Sequence, residues 1–131
     1  MNKKIFKTID DLELIVINRR SAVIFEIGNN HEENKFDFSL KFNSATFKEL
    51  FEHLKEVSDK SWSDIKPKEA DSFGADYEEY YDRQFDNNGY LSISKNRLSV
   101  ERPALESNKL YQFNKRKMES FIYDFRKALA P

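Results

Sequence analysis

The feature that most constrains the fold is an internal repeat. Residues 43–54 read N-S-A-T-F-K-E-L-F-E-H-L, and residues 114–125, 71 positions later, read N-K-R-K-M-E-S-F-I-Y-D-F. In each copy a Phe precedes an Asn, a residue that favours the N-cap of a helix, and apolar residues then recur at helical spacing. A tandem repeat limits the architecture strongly, because each copy repeats one supersecondary unit.

The repeat continues upstream of the two predicted helices, at a spacing of 76 residues. Residues 14–25 and 90–101 each contain an alternating strand, a polar turn and a second alternating strand, which is the pattern of a β-hairpin. One further strand is indicated before each hairpin and another after it, at 36–42 and 109–113. Each copy is therefore predicted to fold as β-β-β-β-α, with helices at 44–58 and 115–130.

We predict a single α+β domain with pseudo-twofold symmetry, in which antiparallel four-stranded units are each backed by one amphipathic helix. Copy one covers 4–58, a connector covers 59–79 and copy two covers 80–131. A chain of 131 residues is long enough for one core, which the two copies are expected to share. The side chains predicted to fill it are Ile15, Ile17, Ile24, Phe42, Phe47, Leu50, Phe51, Leu54, Leu91, Ile93, Leu98, Val100, Phe113, Met118, Phe121, Ile122 and Phe125.

The first hairpin differs from the second because it is apolar on both predicted faces. If Ile15 and Ile24 point inward, then Val16, Val23 and Phe25 point outward. A strand pair of this kind is expected to be covered on both sides, by the connector, by the other copy or by a second subunit. A homodimer is therefore one of the arrangements that the sequence favours.

Signals of catalysis are weak. The chain has no Cys, which excludes disulfide scaffolds, thiolate chemistry and zinc sites built on sulfur. Its two histidines, His31 and His53, have no metal-ligand spacing to each other. Three glycines leave little material for a phosphate-binding loop, and no hydrolase or nucleotide-binding motif occurs. We expect a protein that is not an enzyme and that needs no metal or cofactor.

The sequence also favours a cytoplasmic location. Its first residues lack the apolar segment of a signal peptide, and no run approaches the length of a membrane span, so no membrane association is expected. The abundance of Asn, Lys, Phe and Ile is typical of an AT-rich bacterial or phage gene.

A net charge of −1 conceals a polarised chain. Residues 59–94 hold 4 basic and 9 acidic side chains, whereas residues 95–131 hold 9 and 4. Exposed aromatic and basic groups suit single-stranded nucleic acid, because bases stack on rings while cations meet phosphates. We therefore predict a non-catalytic binding module for single-stranded DNA or RNA. Its predicted binding residues are Tyr90, Arg97, Arg102, Lys109, Lys115, Arg116 and Lys117.

The acidic third supports a different hypothesis. Tyrosines among acids are typical of surfaces that bind a basic protein. The chain would then be a small inhibitor, such as a toxin-neutralising immunity protein or a phage anti-defence protein. The residues predicted for this role are Asp76, Tyr77, Glu78, Glu79, Tyr80 and Asp82.

The layout of the repeat resembles the PUR-repeat, Whirly and PC4-like group of single-stranded nucleic-acid-binding proteins. The resemblance lies in the hairpins Leu14–Ile27 and Tyr90–Arg102, followed by F-N-S-A-T-F-K-E-L-F and F-N-K-R-K-M-E-S-F-I. It covers most of the chain outside 59–79. It implies that two units pack together, within one chain or as a dimer, and that the protein binds single-stranded nucleic acid.

Overall fold

A computed structural model describes residues 2–29, 31, 34–71 and 76–130 of the protein. Residues 72–75, part of the predicted connector, lie outside the described residues. Within the described chain there are eight strands and two helices. In chain order they are β1 (Asn2–Lys7), β2 (Glu13–Arg19), β3 (Ala22–Ile27), β4 (Asp37–Lys41), α1 (Ser44–Ser61), β5 (Glu79–Asp82), β6 (Asn87–Ser94), β7 (Arg97–Glu101), β8 (Lys109–Phe113) and α2 (Lys115–Leu129).

The strands form two antiparallel four-stranded sheets, and each sheet takes one strand from the other copy. Sheet A has the order β1-β2-β3-β8, and sheet B has the order β4-β7-β6-β5. The last strand of each copy thus leaves its own hairpin and pairs with the hairpin of the other copy. The predicted α+β class and the tandem β-β-β-β-α order are confirmed, and the strand exchange is an addition that the sequence did not indicate.

Both helices begin at the predicted Asn caps. The Asn43 side chain accepts a hydrogen bond from Thr46 N, and the Asn114 side chain accepts one from Lys117 N, each at 2.8 Å. Each bond satisfies one of the main-chain N–H groups that a helix leaves without a partner in its first turn. The caps explain why both helices start immediately after an exposed Asn.

Helix α1 continues for three residues beyond the predicted end at position 58. Its last turn is polar in sequence, but Ser61 faces the β2–β3 turn of sheet A. Ser61 Oγ accepts from Asn18 Nδ2 and donates to Arg19 O, both at 2.7 Å. Because these tertiary bonds satisfy the polar side chain, the helix extends past the point where its apolar pattern stops.

One aromatic cluster joins both helices to sheet A. Ring centroids of Phe121 in α2 lie 6.3 Å from Phe25 and 5.1 Å from Phe113, and Phe125 lies 4.5 Å from Phe47 of α1. Helix α1 packs against β1, β2 and β3, whereas α2 packs against β6 and β8. The core is therefore built from both copies. We call the faces of the two sheets that contact it their inner faces.

The inner faces follow a repeat spacing of 75 residues, one fewer than the sequence alignment suggests. Val16 lies opposite Phe25, and Leu91 lies opposite Val100, with all four buried in the same core. A shift of one residue moves every side chain of a strand to the other face. The prediction that Ile15 and its alternate neighbours point into this core is therefore wrong.

The outer face of sheet A is apolar at its centre. Ile17 and Ile24 lie opposite each other there and are 2% and 5% exposed, although neither belongs to the main core. Ile15 is half-buried, and Ile5 beside it is 53% exposed. The first hairpin is thus apolar on both faces, as predicted, with the two faces exchanged. The remaining predicted core residues are buried except Ile93, which is half-buried.

Candidate binding surfaces

Tyr90 and Arg97, two of the predicted nucleic-acid-binding residues, lie exposed on the outer face of sheet B. Arg102 is 1% exposed instead. Its Nε donates to Lys35 O at 2.8 Å and its Nη1 donates to Ser107 O at 3.2 Å. A buried guanidinium that binds main-chain carbonyls holds the loops at this end of sheet B together. The prediction that Arg102 belongs to an exposed binding surface is wrong.

The predicted basic surface and the predicted acidic surface contact each other. In the first turn of α2, Arg116 forms a bidentate pair with the Asp76 carboxylate, with both N–O distances at 3.1 Å. Lys117 Nζ donates to Asp76 O at 3.2 Å and to Glu79 O at 2.9 Å. Burial is the main cause that lowers the pKa of Lys117. Lys115 is half-buried. Two cations of this turn therefore hold the end of the connector against α2.

Half of the acidic, Tyr-rich segment faces inward. Tyr77, Tyr80 and Asp82 are each between 4% and 5% exposed. Tyr77 Oη donates to Asp124 at 2.6 Å, and burial raises the pKa of both tyrosines. Glu78 remains exposed. Only part of the predicted protein-binding set therefore lies on the surface, and the assignment of Tyr77, Tyr80 and Asp82 to an exposed contact is wrong.

A row of side chains crosses all four strands of sheet B on its outer face. Asp37 of β4 lies opposite Glu101 of β7. Across the next two ladders, Glu101 lies opposite Tyr90 of β6, which lies opposite Glu79 of β5. All four residues are exposed, and we call them the acidic row. The row combines Asp37 of copy one with Tyr90 and Glu101 of copy two and with Glu79 at the end of the connector, so it depends on the strand exchange.

The first pair of the acidic row places two carboxyl groups side by side. Like charges directly opposite each other on antiparallel strands are destabilising. Slight desolvation raises the pKa of Glu101, and the hydrogen bond and negative charge of Asp37 raise it further. A cation bound between the two groups would favour their charged forms and relieve the repulsion. The pair Asp37–Glu101 is therefore suited to binding a positively charged group.

Beside the acidic row, the outer face of sheet B forms a shallow depression lined by short side chains. Ser39 lies opposite Ser99, which lies opposite Ser92, and we call these three the serine row. One further step along the strands, Lys41 lies opposite Arg97. Successive rows on one face are about 7 Å apart. Because serine side chains are short, the acidic row and the serine row enclose a depression of about 640 Å³. The depression is acidic along one side.

Lys109 lies away from this depression, on edge strand β8. Its Nζ is 3.4 Å from Asp82 Oδ2 and lies over the Tyr80 ring, 5.9 Å from the centroid. The Asp82 side chain is 3% exposed, so Lys109 compensates a buried carboxylate. The predicted nucleic-acid-binding residues therefore do not form one continuous surface.

Sequence reasoning missed Asp37, Ser39 and Lys41 as neighbours of the second hairpin. Their signal was present in part, because the alternation of β4 already places these three on the face opposite Phe38. Nothing local in the sequence shows that β4 pairs with β7. A row of side chains assembled across an exchanged strand cannot be predicted until the strand order is known.

The histidines take no part in these surfaces. The His53 ring packs on Phe6, with centroids 5.5 Å apart, and burial lowers the pKa of His53. His31 Nδ1 lies 2.5 Å from Gly28 O. Among residues 2–29, 31, 34–71 and 76–130, no three His, Asp or Glu side chains are grouped so that they could hold a metal ion.

No protein-family model matches the chain, and no curated protein or solved structure is significantly similar to it. The resemblance to the PUR-repeat, Whirly and PC4-like group therefore stays a prediction based on layout. Neither α1 nor α2 is long and apolar enough to cross a bilayer.

Proposed function

We propose that the protein is a binding protein whose acidic row and serine row receive a basic segment of another protein. The observation that carries this proposal is the opposed pair Asp37–Glu101, in which two carboxyl groups meet without an intervening cation among the described residues. Lysine and arginine side chains are the protein groups that relieve such a repulsion, and arginine does so with bidentate geometry.

The rest of the outer face of sheet B supports this assignment. Tyr90, 41% exposed in the middle of the acidic row, offers an aromatic ring on which a guanidinium can stack. Glu78, immediately before β5, adds an exposed carboxylate next to the acidic row. The shallow serine row leaves space for a peptide backbone next to these groups. Exposed tyrosines are enriched at protein-binding surfaces, and the carboxylates around Tyr90 complement a basic partner.

This proposal develops the inhibitor hypothesis and moves its surface. Of the segment 76–82, the proposed surface keeps Glu78 and Glu79. The buried residues of that segment are replaced in the surface by Asp37, Tyr90 and Glu101. Proteins that act on nucleic acids carry basic clefts, and a small acidic inhibitor can cover such a cleft. Nucleic-acid binding by this chain stays a prediction. The carboxylates of the acidic row would repel the phosphates of a nucleic acid at this surface.

The test is fluorescence anisotropy with two labelled probes, an arginine-rich peptide and single-stranded DNA or RNA of mixed sequence. The unchanged protein should bind the peptide, more weakly as salt is raised. The variant Asp37→Asn/Glu101→Gln should lose about tenfold in peptide affinity, corresponding to roughly 1.4 kcal/mol.

The matched control is Glu49→Gln/Glu52→Gln, which removes the same charge from exposed positions of α1. It should leave peptide affinity within about twofold, since distant exposed charges are screened. Equal losses in the two variants would reduce the effect to net charge and overturn the proposed site. Oligonucleotide binding with a steep salt dependence, and no peptide binding, would instead support the nucleic-acid hypothesis.

A further inference from the structure

Two pairs of like charges lie on the outer face of sheet B, and strands β4 and β7 carry both of them. The carboxyl pair Asp37–Glu101 lies at one end of the two strands, and the cationic pair Lys41–Arg97 lies at the other end. All four residues are exposed. Like charges directly opposite each other on antiparallel strands are destabilising, so each pair favours a partner of the opposite charge.

The two pairs do not neutralise each other within one copy. Four residues along an extended strand span about 13 Å, and the uncharged serine row lies between the pairs. In the described part of the chain, none of the four side chains forms an ion pair. The outer face of sheet B therefore presents negative charge at one end, hydroxyl groups in the middle and positive charge at the other end.

This order of charges is self-complementary. A two-fold axis along the serine row would place a second copy over the face with its strands running in the reverse direction. Asp37 of one copy then faces Lys41 of the other, and Glu101 faces Arg97. Each contact occurs twice, as an isologous interface requires, because the same surface patch meets itself. The charge pattern of β4 and β7 thus matches a second copy of this chain.

The short side chains near the axis allow two such faces to approach each other. Each serine of the serine row would lie near its own counterpart. A hydroxyl group both donates and accepts, so two identical serines can form a hydrogen bond, directly or through a water molecule. On β6, Tyr90 would lie over Ser94 of the second copy, which places a large side chain against a small one.

Known packing of sheets is compatible with this arrangement. Two sheets that pack face to face lie about 10 Å apart, with strand directions within about 30° of each other. The long side chains of Lys41 and Arg97 suit such a gap, because they can reach across it to the carboxylates and adapt to the rotation.

We infer that the protein forms a two-fold symmetric dimer through the outer face of sheet B, in which the carboxyl pair of each copy binds the cationic pair of the other. The contact surface is polar and confined to one small sheet face, so the dimer belongs to the weak, salt-sensitive class of interfaces. It uses a different surface from the apolar first hairpin, from which the sequence favoured a homodimer.

The dimer does not depend on the function proposed for the acidic row. Both use Asp37 and Glu101, so a second copy and a basic segment of another protein would compete for the same carboxylates. Where both inferences hold, excess arginine-rich peptide should dissociate the dimer. Self-association and peptide binding are measured separately, so the failure of one leaves the other standing.

The test is sedimentation velocity of the full chain between about 10 μM and about 1 mM, the range in which weak interfaces associate. The unchanged protein should pass from monomer to dimer as its concentration rises, and high salt should shift it back toward monomer. A chain that stays monomeric over the whole range at low salt would overturn the inference.

Charge reversal tests the pairing itself. The acidic variant Lys41→Glu/Arg97→Glu and the basic variant Asp37→Lys/Glu101→Lys should each self-associate at least about tenfold more weakly, because like charges then face each other. An equimolar mixture of the two variants should form a heterodimer, since every contact then joins opposite charges. Dimers that persist in both variants, or a mixture that stays monomeric, would contradict the interface.

The matched control is Glu49→Lys/Glu52→Lys on α1, which changes the net charge as much as the basic variant does. It should dimerise as the unchanged protein does, and an equal loss would reduce the effect to net charge and overturn the interface. Circular dichroism checks the fold of each variant. If a double variant fails to fold, Arg97→Gln removes a single exposed charge and should weaken self-association about threefold. Unchanged self-association of Arg97→Gln would count against the dimer.

Discussion

Sheet A and sheet B have equivalent strand orders but different outer faces. At the repeat spacing of 75, Ile17 of sheet A corresponds to Ser92 of sheet B, and Ile24 corresponds to Ser99. The isoleucines are buried, whereas the serines are exposed. The inner faces, in contrast, are largely apolar in both sheets. Both copies therefore contribute to one core, whereas the outer face of sheet A is buried and apolar at its centre and that of sheet B is exposed and polar.

The largest effect should come from separating the two copies. Fragments 1–62 and 63–131 each lack the strand that completes their sheet, since β8 belongs to sheet A and β4 to sheet B. We expect each fragment alone to be unfolded by circular dichroism, and an equimolar mixture to regain cooperative folding. A fragment that folds alone as a monomer would show that the exchanged strand is dispensable.

A smaller effect should come from exchanging outer-face residues between the sheets. Ile17→Ser/Ile24→Ser removes two buried side chains and should lower the free energy of unfolding by about 4 kcal/mol. The reverse pair Ser92→Ile/Ser99→Ile should change it by less than about 1 kcal/mol, since exposed substitutions have small effects. Urea denaturation of both variants measures the difference. Similar losses in both would show that the two outer faces are equally important for stability.

The smallest effect should be a pH dependence at the acidic row. Because the pKa of Glu101 is raised in the folded state, the folded protein holds this proton more tightly than the unfolded chain. Stability therefore falls as the pH rises above the usual value of 4.5. Asp37→Asn should gain roughly 0.5 kcal/mol at pH 7 and nothing below about pH 4, an exposed pair being partly screened.

The control for this experiment is Ser39→Asn, which places the same amide one row away on β4. Its stability difference from the unchanged protein should be the same at pH 7 and pH 4. A gain for Asp37→Asn that persists at low pH would indicate an effect of the amide itself, independent of the carboxyl pair.

The sequence predicted the parts of the fold that depend on local chemistry. Asn43 and Asn114 indicated both helix starts, because their side chains bond main-chain N–H groups three residues later. The alternation in the second hairpin correctly placed Leu91 and Val100 in the core. Period, caps and turns are encoded within a few residues, so they can be read without knowledge of the rest of the chain.

The inner face of the first hairpin could not be assigned in this way. Val16 and Ile17 are both apolar and both buried, so alternation does not distinguish the two faces. The core side is decided by tertiary packing, because α1 packs against one face of β2 and β3. The acidic row could not be predicted for a similar reason, because its first member, Asp37, lies on β4, which pairs with a strand of the other copy.

The exchange of β4 and β8 also affects how the chain acquires its structure. Sheet A is incomplete until residues 109–113 are available, since β8 is its last strand, and sheet B is incomplete until residues 97–101, which form β7, are available. During synthesis, the first hairpin and α1 can complete their packing only after nearly the whole chain has been made. Contacts between distant segments slow folding, so we expect this protein to fold slowly. Its N-terminal half would expose apolar strands before β8 is made and would be prone to aggregation.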